Sequence, residues 1–194
     1  VNESDHATLP ASCDLLIASA AIPPEHPLLA DADRRGIEVL SYAEAVGRAM
    51  LGRTAVSIAG THGKSTTTAL LSWILMDSAL DPSVIVGAHC PQLGGGWRVG
   101  SENVPGEGPF AGRSGLMICE ACEFNRSFHN YSPKIAVITS VEADHLDIYG
   151  TLDEVIKAFH EFAKLIPPAS AGGVLLIAEH DAHRREVAIR ASII

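Results

Sequence analysis

The chain has 194 residues, 47% of them hydrophobic and 19% charged, which is enough apolar side chain to fill a core in one or two domains. Fourteen Lys plus Arg stand against 23 Asp plus Glu, which excludes the broad positive field of a nucleic-acid or anionic-membrane binder, so an anionic ligand must be held locally. The most apolar run, Ala69 to Met76 with its flanks, is interrupted by Ser72 and Asp77 and falls far short of the roughly 20 residues that cross a bilayer; with four cysteines in no framework spacing and no basic-then-apolar leader, a reducing cytoplasm is the expected compartment.

In chain order, the apolar run within Cys13 to Ser19 predicts a strand. A Pro-rich turn at Pro23, Pro24 and Pro27 leads to a helix over Leu28 to Arg35 that Gly36 closes. Ile37 to Leu40 predicts a second strand, and Ser41 caps a helix reaching Met50. This is the β-α-β-α tail of a small α/β domain, with a boundary near Leu51 to Arg53, so that residues 1–52 and 53–194 are read as parts of two domains. A chain that opens on Val1, close before a strand pattern, and stops at Ile194, just after a helical one, is expected to be cut at both ends.

From Thr54 a second series begins. Strand TAVSIA leads through a Gly-containing loop to a long apolar helix from Lys64 to about Ala79, then to strand Ser83 to Val86. Strands Leu116 to Cys119 and Ile135 to Thr139 follow, then a helix over Leu152 to Leu165, strand Val174 to Ala178, and a helix from about Asp181. Continuous apolar strands alternating with helices predict a doubly wound, mostly parallel sheet of P-loop type covered by helices on both faces. The Gly-rich stretch Leu93 to Arg113 is too long for a simple connection and is expected to be a mobile loop. Trp73, Phe159 and Phe162 are expected in the core.

The strongest local signal is Gly60-Thr61-His62-Gly63-Lys64-Ser65-Thr66, placed where TAVSIA turns into a helix. Glycines let successive N–H groups and the helix N-terminus face a phosphate, Lys64 adds a point charge, and the Ser65 hydroxyl can ligate Mg²⁺. That constellation fits ATP. It is a tighter form than the general G-x-x-x-x-G-K loop, whose first glycine would fall at Ile58; His62 reads equally as a hydrogen-bond donor or a spacer.

Glu120 stands at the end of a buried strand beside this loop, where a carboxylate can share a metal with Ser65 or cap a neighbouring loop. His145 lies after the next strand between Asp144 and Asp147, and taken by itself reads as a solvated, paired histidine. Cys119 and Cys122 form C-x-x-C, but one pair lacks the second pair of a structural zinc site, and packing is the expected role.

Three blocks carry a family resemblance. Gly60 to Thr66, Glu120-Ala121-Cys122-Glu123 with Ser127-Phe128, and Thr139-Ser140-Val141-Glu142-Ala143-Asp144-His145-Leu146-Asp147-Ile148-Tyr149 resemble the ATP loop and the E-A-D-E-x-D-x-S-F and T-N-I-E-x-D-H-x-D-x-Y stretches of the Mur ligases, in particular the alanine-adding branch. Ala18 to Pro23 is similar to a Ser-rich strand end of the UDP-sugar domain. The resemblance implies an ATP- and Mg²⁺-dependent ligase of peptidoglycan precursor synthesis, with UDP-N-acetylmuramate and L-alanine as substrates and an acyl phosphate between them. It assigns Gly60 to Thr66 to ATP, Ser65, Glu120 and His145 to Mg²⁺ (His145 alternatively to the substrate carboxylate), and Lys64, Glu120 and His145 to catalysis. Residues 1–52 become the end of the UDP-sugar-binding domain and 53–194 the first part of the ATP-binding domain. Cys122 and Ser140 depart from Asp and Asn of the family pattern, the later Asp is lost within Phe124 to Arg126, and Ser101 to Gly112 reads as an insertion. Two alternatives stay open: a recycling ligase that attaches a tripeptide to the same sugar, and a non-catalytic nucleotide-binding relative.

Overall fold

The computed structural model describes residues 8–188. Its first unit is β1 (Leu15–Ala18), α1 (Pro27–Arg35), β2 (Glu38–Ser41) and α2 (Tyr42–Met50), with β1 and β2 paired in parallel. α1 stops where Gly36 takes a left-handed conformation at φ 64° and donates its N–H back to the last turn. α2 starts at a capping box: Ser41 Oγ accepts from the Glu44 N–H at 3.2 Å and Glu44 Oε2 accepts from the Ser41 N–H at 2.7 Å.

The second series is β3 (Thr54–Ala59), α3 (Lys64–Asp77), β4 (Ser83–Cys90), β5 (Gly95–Arg98), β6 (Leu116–Glu120), β7 (Ile135–Ile138), α4 (Leu146–Tyr149), α5 (Leu152–Ala163), β8 (Val174–Ile177) and α6 (Arg184–Ala188). Their six strands lie in the order β5-β4-β6-β3-β7-β8, parallel except for the edge strand β5. The chain therefore folds as the expected α/β sheet with helices on both faces. The helical pattern that the sequence carries towards Ile194 lies partly outside the described residues.

Each face of the sheet has its own core. Val56, Ile58 and Ile118 pack beneath Leu71 and Leu75 of α3. On the other face, Val46 and Met50 of α2 and Phe159 and Phe162 of α5 close over Ala55, Met117 and Ala136. Phe128 sits fully buried here, stacked on Phe162 at 4.7 Å between centroids and edge-on to Phe159 at 5.3 Å. α2 approaches closely because Gly47 has no side chain: a Cβ there would lie 1.9 Å from the Asn130 carbonyl oxygen. The first unit is thus seated on the larger sheet.

Two expectations are corrected. The Gly-rich stretch is not a loop throughout. It contributes β5, antiparallel to β4 with Trp97 opposite Ile85, and the stretch after β5 folds back on itself, the Val104 N–H donating to Arg113 O and the Gly112 N–H to Val104 O, both at 2.9 Å. Trp73 is not core but 49% exposed, because α3 is apolar on every side and its sheet-facing side is the one carrying Leu71 and Leu75. Among the described residues, no helix is long and apolar enough to cross a membrane.

Candidate active site

β3 lies at the centre of the sheet, and the chain leaving its carboxyl end forms residues 60–63 before entering α3 at Lys64. The crevice above the carboxyl ends of such strands is where ligands of open α/β sheets bind. Gly63 caps α3 in a left-handed conformation (φ 81°) with no side-chain cap, so the positive end of a 14-residue helix faces the crevice. Gly60 permits the loop to hug its neighbour: a Cβ there would fall 2.1 Å from Thr139 Oγ1.

The loop is held by the segment after β7. The Thr61 N–H donates to Ser140 O at 2.9 Å, the Glu142 N–H donates to Thr61 Oγ1 at 2.9 Å, and the His62 N–H donates to Ser140 Oγ at 3.1 Å. Ser140 thereby fixes the loop. His62 itself is exposed, with Nε2 at 3.9 Å from Glu142.

Ser65 Oγ donates to Glu120 Oε1 at 3.0 Å, and Glu120 Oε2 accepts from the Gly87 N–H at 2.6 Å. Glu120 is the last residue of β6 rather than the residue after it, and Gly87 on β4 leaves the space it occupies. A hydroxyl and a carboxylate beside this loop are hard oxygen donors of the kind Mg²⁺ selects.

Lys64 Nζ donates to Gly60 O at 2.6 Å, to Thr61 O at 3.3 Å and to Glu123 Oε1 at 2.9 Å. Glu123 is 2% exposed, and its Oε2 accepts no hydrogen bond from the described residues. Ligand atoms of Glu123, Asp144 and His145 all lie within 4.8 Å of one another. A buried carboxylate grouped with a second carboxylate and an imidazole suits a cation. His145 is oriented by its own left-handed backbone (φ 50°), by its N–H donating to Asp144 Oδ1 at 2.8 Å, and by edge contact with Phe124 at 5.2 Å.

Beside this centre a cleft of about 470 Å³ separates the ends of β1 and β2 from the segment 122–131, with Ser19, Tyr42, Cys122 and Ser127 in its walls. Cys122 opens to the cleft while burial of its other side raises its thiol above the ordinary range, and burial pushes Cys119 up to about 12. A larger hollow of about 580 Å³ between α2 and the β4–β5 hairpin includes none of the loop residues.

The Mur ligase middle domain matches residues 58–192. The chain belongs to the Mur ligase family. Among curated Mur ligases, the UDP-N-acetylmuramate--L-alanine ligase of Desulfitobacterium hafniense is 36% identical over 181 residues, 93% of this chain and 37% of that protein. The enzyme of the same name from Paenarthrobacter aurescens is 43% identical over 175 residues, 90% of this chain and 35% of that protein. The chain thus spans little more than a third of the length of these relatives. Two solved structures share the fold at 22% identity. One is the UDP-N-acetylmuramate:L-alanyl-gamma-D-glutamyl-meso-diaminopimelate ligase of Neisseria meningitides, with a TM-score of 0.75 over 93% of this chain and 56% of that one. The other is the UDP-N-acetylmuramate-alanine ligase of Thermotoga maritima, with a TM-score of 0.67 over 90% of this chain and 37% of that one.

Set against the residues expected from the sequence, the Mur ligase fold brings Ser65 and Glu120 into contact, pairs Lys64 with Glu123 instead of Glu120, and places His145 beside Glu123. Glu123 and Asp144 carry no role in the sequence reading. Their signal was the second carboxylate of Glu120-x-x-Glu123 and the acid preceding His145, but only burial distinguishes Glu123 from a solvated neighbour.

Proposed function

We propose that the protein carrying this chain is an ATP-dependent ligase that joins L-alanine to the lactyl carboxylate of UDP-N-acetylmuramate in peptidoglycan precursor synthesis. The observation that carries this reading is the Ser65–Glu120 contact at the N-terminus of α3, with Lys64 in the same loop. The names of the relatives at 36% and 43% identity support the choice of acceptor.

In this reading Gly60 to Thr66 bind the β- and γ-phosphates of ATP through backbone N–H groups and the Lys64 ammonium. Ser65 and Glu120 hold one Mg²⁺, and His145 faces either a second Mg²⁺ or the substrate carboxylate. Magnesium held there supplies positive charge that screens the phosphates. Residues 1–52 contribute the end of the UDP-sugar-binding domain, and 53–194 the first part of the ATP-binding domain. Ser19 and Ser127 across the cleft supply hydroxyls for the sugar nucleotide.

A free carboxylate does not condense with an amine in water without activation. A lactyl carboxylate oxygen attacks the γ-phosphorus and ADP leaves, giving an acyl phosphate. The neutral amine of L-alanine then attacks the acyl carbon, loses its proton, and phosphate departs as the amide forms. Lys64 stabilises charge on the phosphoryl oxygens during transfer, and the walls of the cleft place two anions in line. A cytoplasmic enzyme follows from its soluble nucleotide substrates.

The test is phosphate release by the protein at its natural length, given ATP, Mg²⁺ and UDP-N-acetylmuramate with L-alanine, glycine, L-serine, a tripeptide or no acceptor. Release that requires both the sugar nucleotide and L-alanine, and that disappears in Lys64→Ala, is the expected result. Preference for the tripeptide would make the protein a recycling ligase, and nucleotide binding without turnover would make it a non-catalytic relative.

A further inference from the structure

Glu123 is the most deeply buried carboxylate of the site and is absent from the Ser65–Glu120 pair. Its Oε1 is bonded to Lys64 at 2.9 Å, its Oε2 has no donor among the described residues, and its backbone oxygen accepts from the buried Tyr149 hydroxyl. Lys64 in turn has three N–H donors. All three are used inside the chain, on Gly60 O, Thr61 O and Glu123 Oε1. The ammonium that the phosphate loop needs is therefore already engaged, and a phosphate gains it only as one or more of these bonds is given up.

Glu123 cannot simply be left behind. At 2% exposure a carboxylate stripped of its cation carries a desolvation cost that nothing else in the pair offsets. The groups that face it are Asp144 and His145, whose ligand atoms lie within 4.8 Å of its own. Asp144 adds negative charge, so it cannot replace the ammonium; together with His145 it completes a donor set for a divalent ion.

We propose that Glu123 is an exchange partner: it holds Lys64 when no nucleotide is bound, and it releases Lys64 to the phosphates as a divalent cation binds between Glu123, Asp144 and His145. Glu123 is then a positioning residue for Lys64 rather than a catalytic one. The exchange rests on the assignment of Gly60 to Thr66 to ATP. It couples the two ligands, and coupling of this kind is reciprocal, so nucleotide tightens the cation as much as the cation tightens nucleotide.

The experiment uses the protein at its natural length and Mn²⁺ as the probe, with free Mn²⁺ read by electron paramagnetic resonance and folding of each variant checked by circular dichroism. Without nucleotide, Lys64→Ala should bind Mn²⁺ at least about tenfold more tightly than the wild type, because the competing ammonium is gone. Glu123→Gln added to Lys64→Ala should abolish that gain. In chelator, the single Glu123→Gln variant should bind a fluorescent ATP analogue about tenfold more tightly than the wild type, because Lys64 is free. Equal Mn²⁺ affinity in wild type and Lys64→Ala, both folded, would overturn the exchange. Failure of the ATP analogue to bind the wild type with Mg²⁺ would instead overturn the ATP reading, and the nucleotide-free Mn²⁺ comparison separates the two.

Discussion

At Gly60 the backbone φ is 136°, and an added Cβ would meet Thr139 Oγ1 at 2.1 Å and the Ser140 and Thr139 amide nitrogens at 2.9 Å. Two of these are backbone atoms that cannot swing away, so Gly60→Ala must displace either the loop 60–63 or the segment after β7. A loss of about 2 kcal/mol or more in denaturant unfolding, together with loss of nucleotide binding, is expected. Asp81 makes a different prediction. It accepts from the Ser101 hydroxyl and N–H and from Arg98, and the Ser101 hydroxyl bond, followed by Arg98, holds its carboxyl below the ordinary 3.8. A depressed folded-state value means stability that is present above pH 3.8 and is lost as pH falls through the lower, folded value. With its side chain 30% exposed and the charges partly screened, the contribution at neutral pH is about 1 kcal/mol. Asp81→Asn should therefore lower stability by about that amount at pH 7 and remove it from the acid limb, and equal acid sensitivity of variant and wild type would show that Asp81 is not the group responsible.

At the scale of elements, stability divides between caps and the aromatic cluster. Ser41→Ala removes one side of the capping box of α2 and should cost about 1 kcal/mol, whereas Phe128→Ala empties a fully buried site between Phe159 and Phe162 and should cost about 3–5 kcal/mol. Chemical denaturation of the two variants checks the ranking. The elements were largely legible in the sequence because their signals are local. β3 matches its expected span, Ser41 and Gly36 mark the helix ends they were read to mark, and the Gly60 to Thr66 loop falls at a strand-to-helix turn. Failures occurred where the deciding partner is distant. β5 is rich in glycine and has little strand propensity of its own; its pairing comes from β4, with Trp97 opposite Ile85. On α3 the apolar residues surround the helix, so no periodicity told Leu71 from Trp73. The burial of Glu123 was likewise hidden, since it depends on the left-handed turn at Asn125 and Arg126 and on the Tyr149 hydroxyl reaching its carbonyl from α4.

The whole molecule is organised around the carboxyl end of the sheet. β3, β6 and β7 end together and deliver the loop 60–63, Glu120 and the His145 segment to one crevice, while α2, seated through Val46, Gly47 and Met50, brings the β1–β2 unit to the same place. A cleft of about 470 Å³ lies between them; in the proposed function it takes the sugar nucleotide beside the phosphates of ATP, the juxtaposition that acyl phosphate chemistry requires. Such chemistry leaves an atomic trace. UDP-N-acetylmuramate labelled with ¹⁸O in its lactyl carboxylate, incubated with ATP, Mg²⁺, L-alanine and the protein at its natural length, should yield inorganic phosphate carrying one ¹⁸O atom for each amide formed, because the carboxylate oxygen that attacks the γ-phosphorus departs with it. Amide formation with unlabelled phosphate, or no amide from a folded protein that binds ATP, would contradict the account.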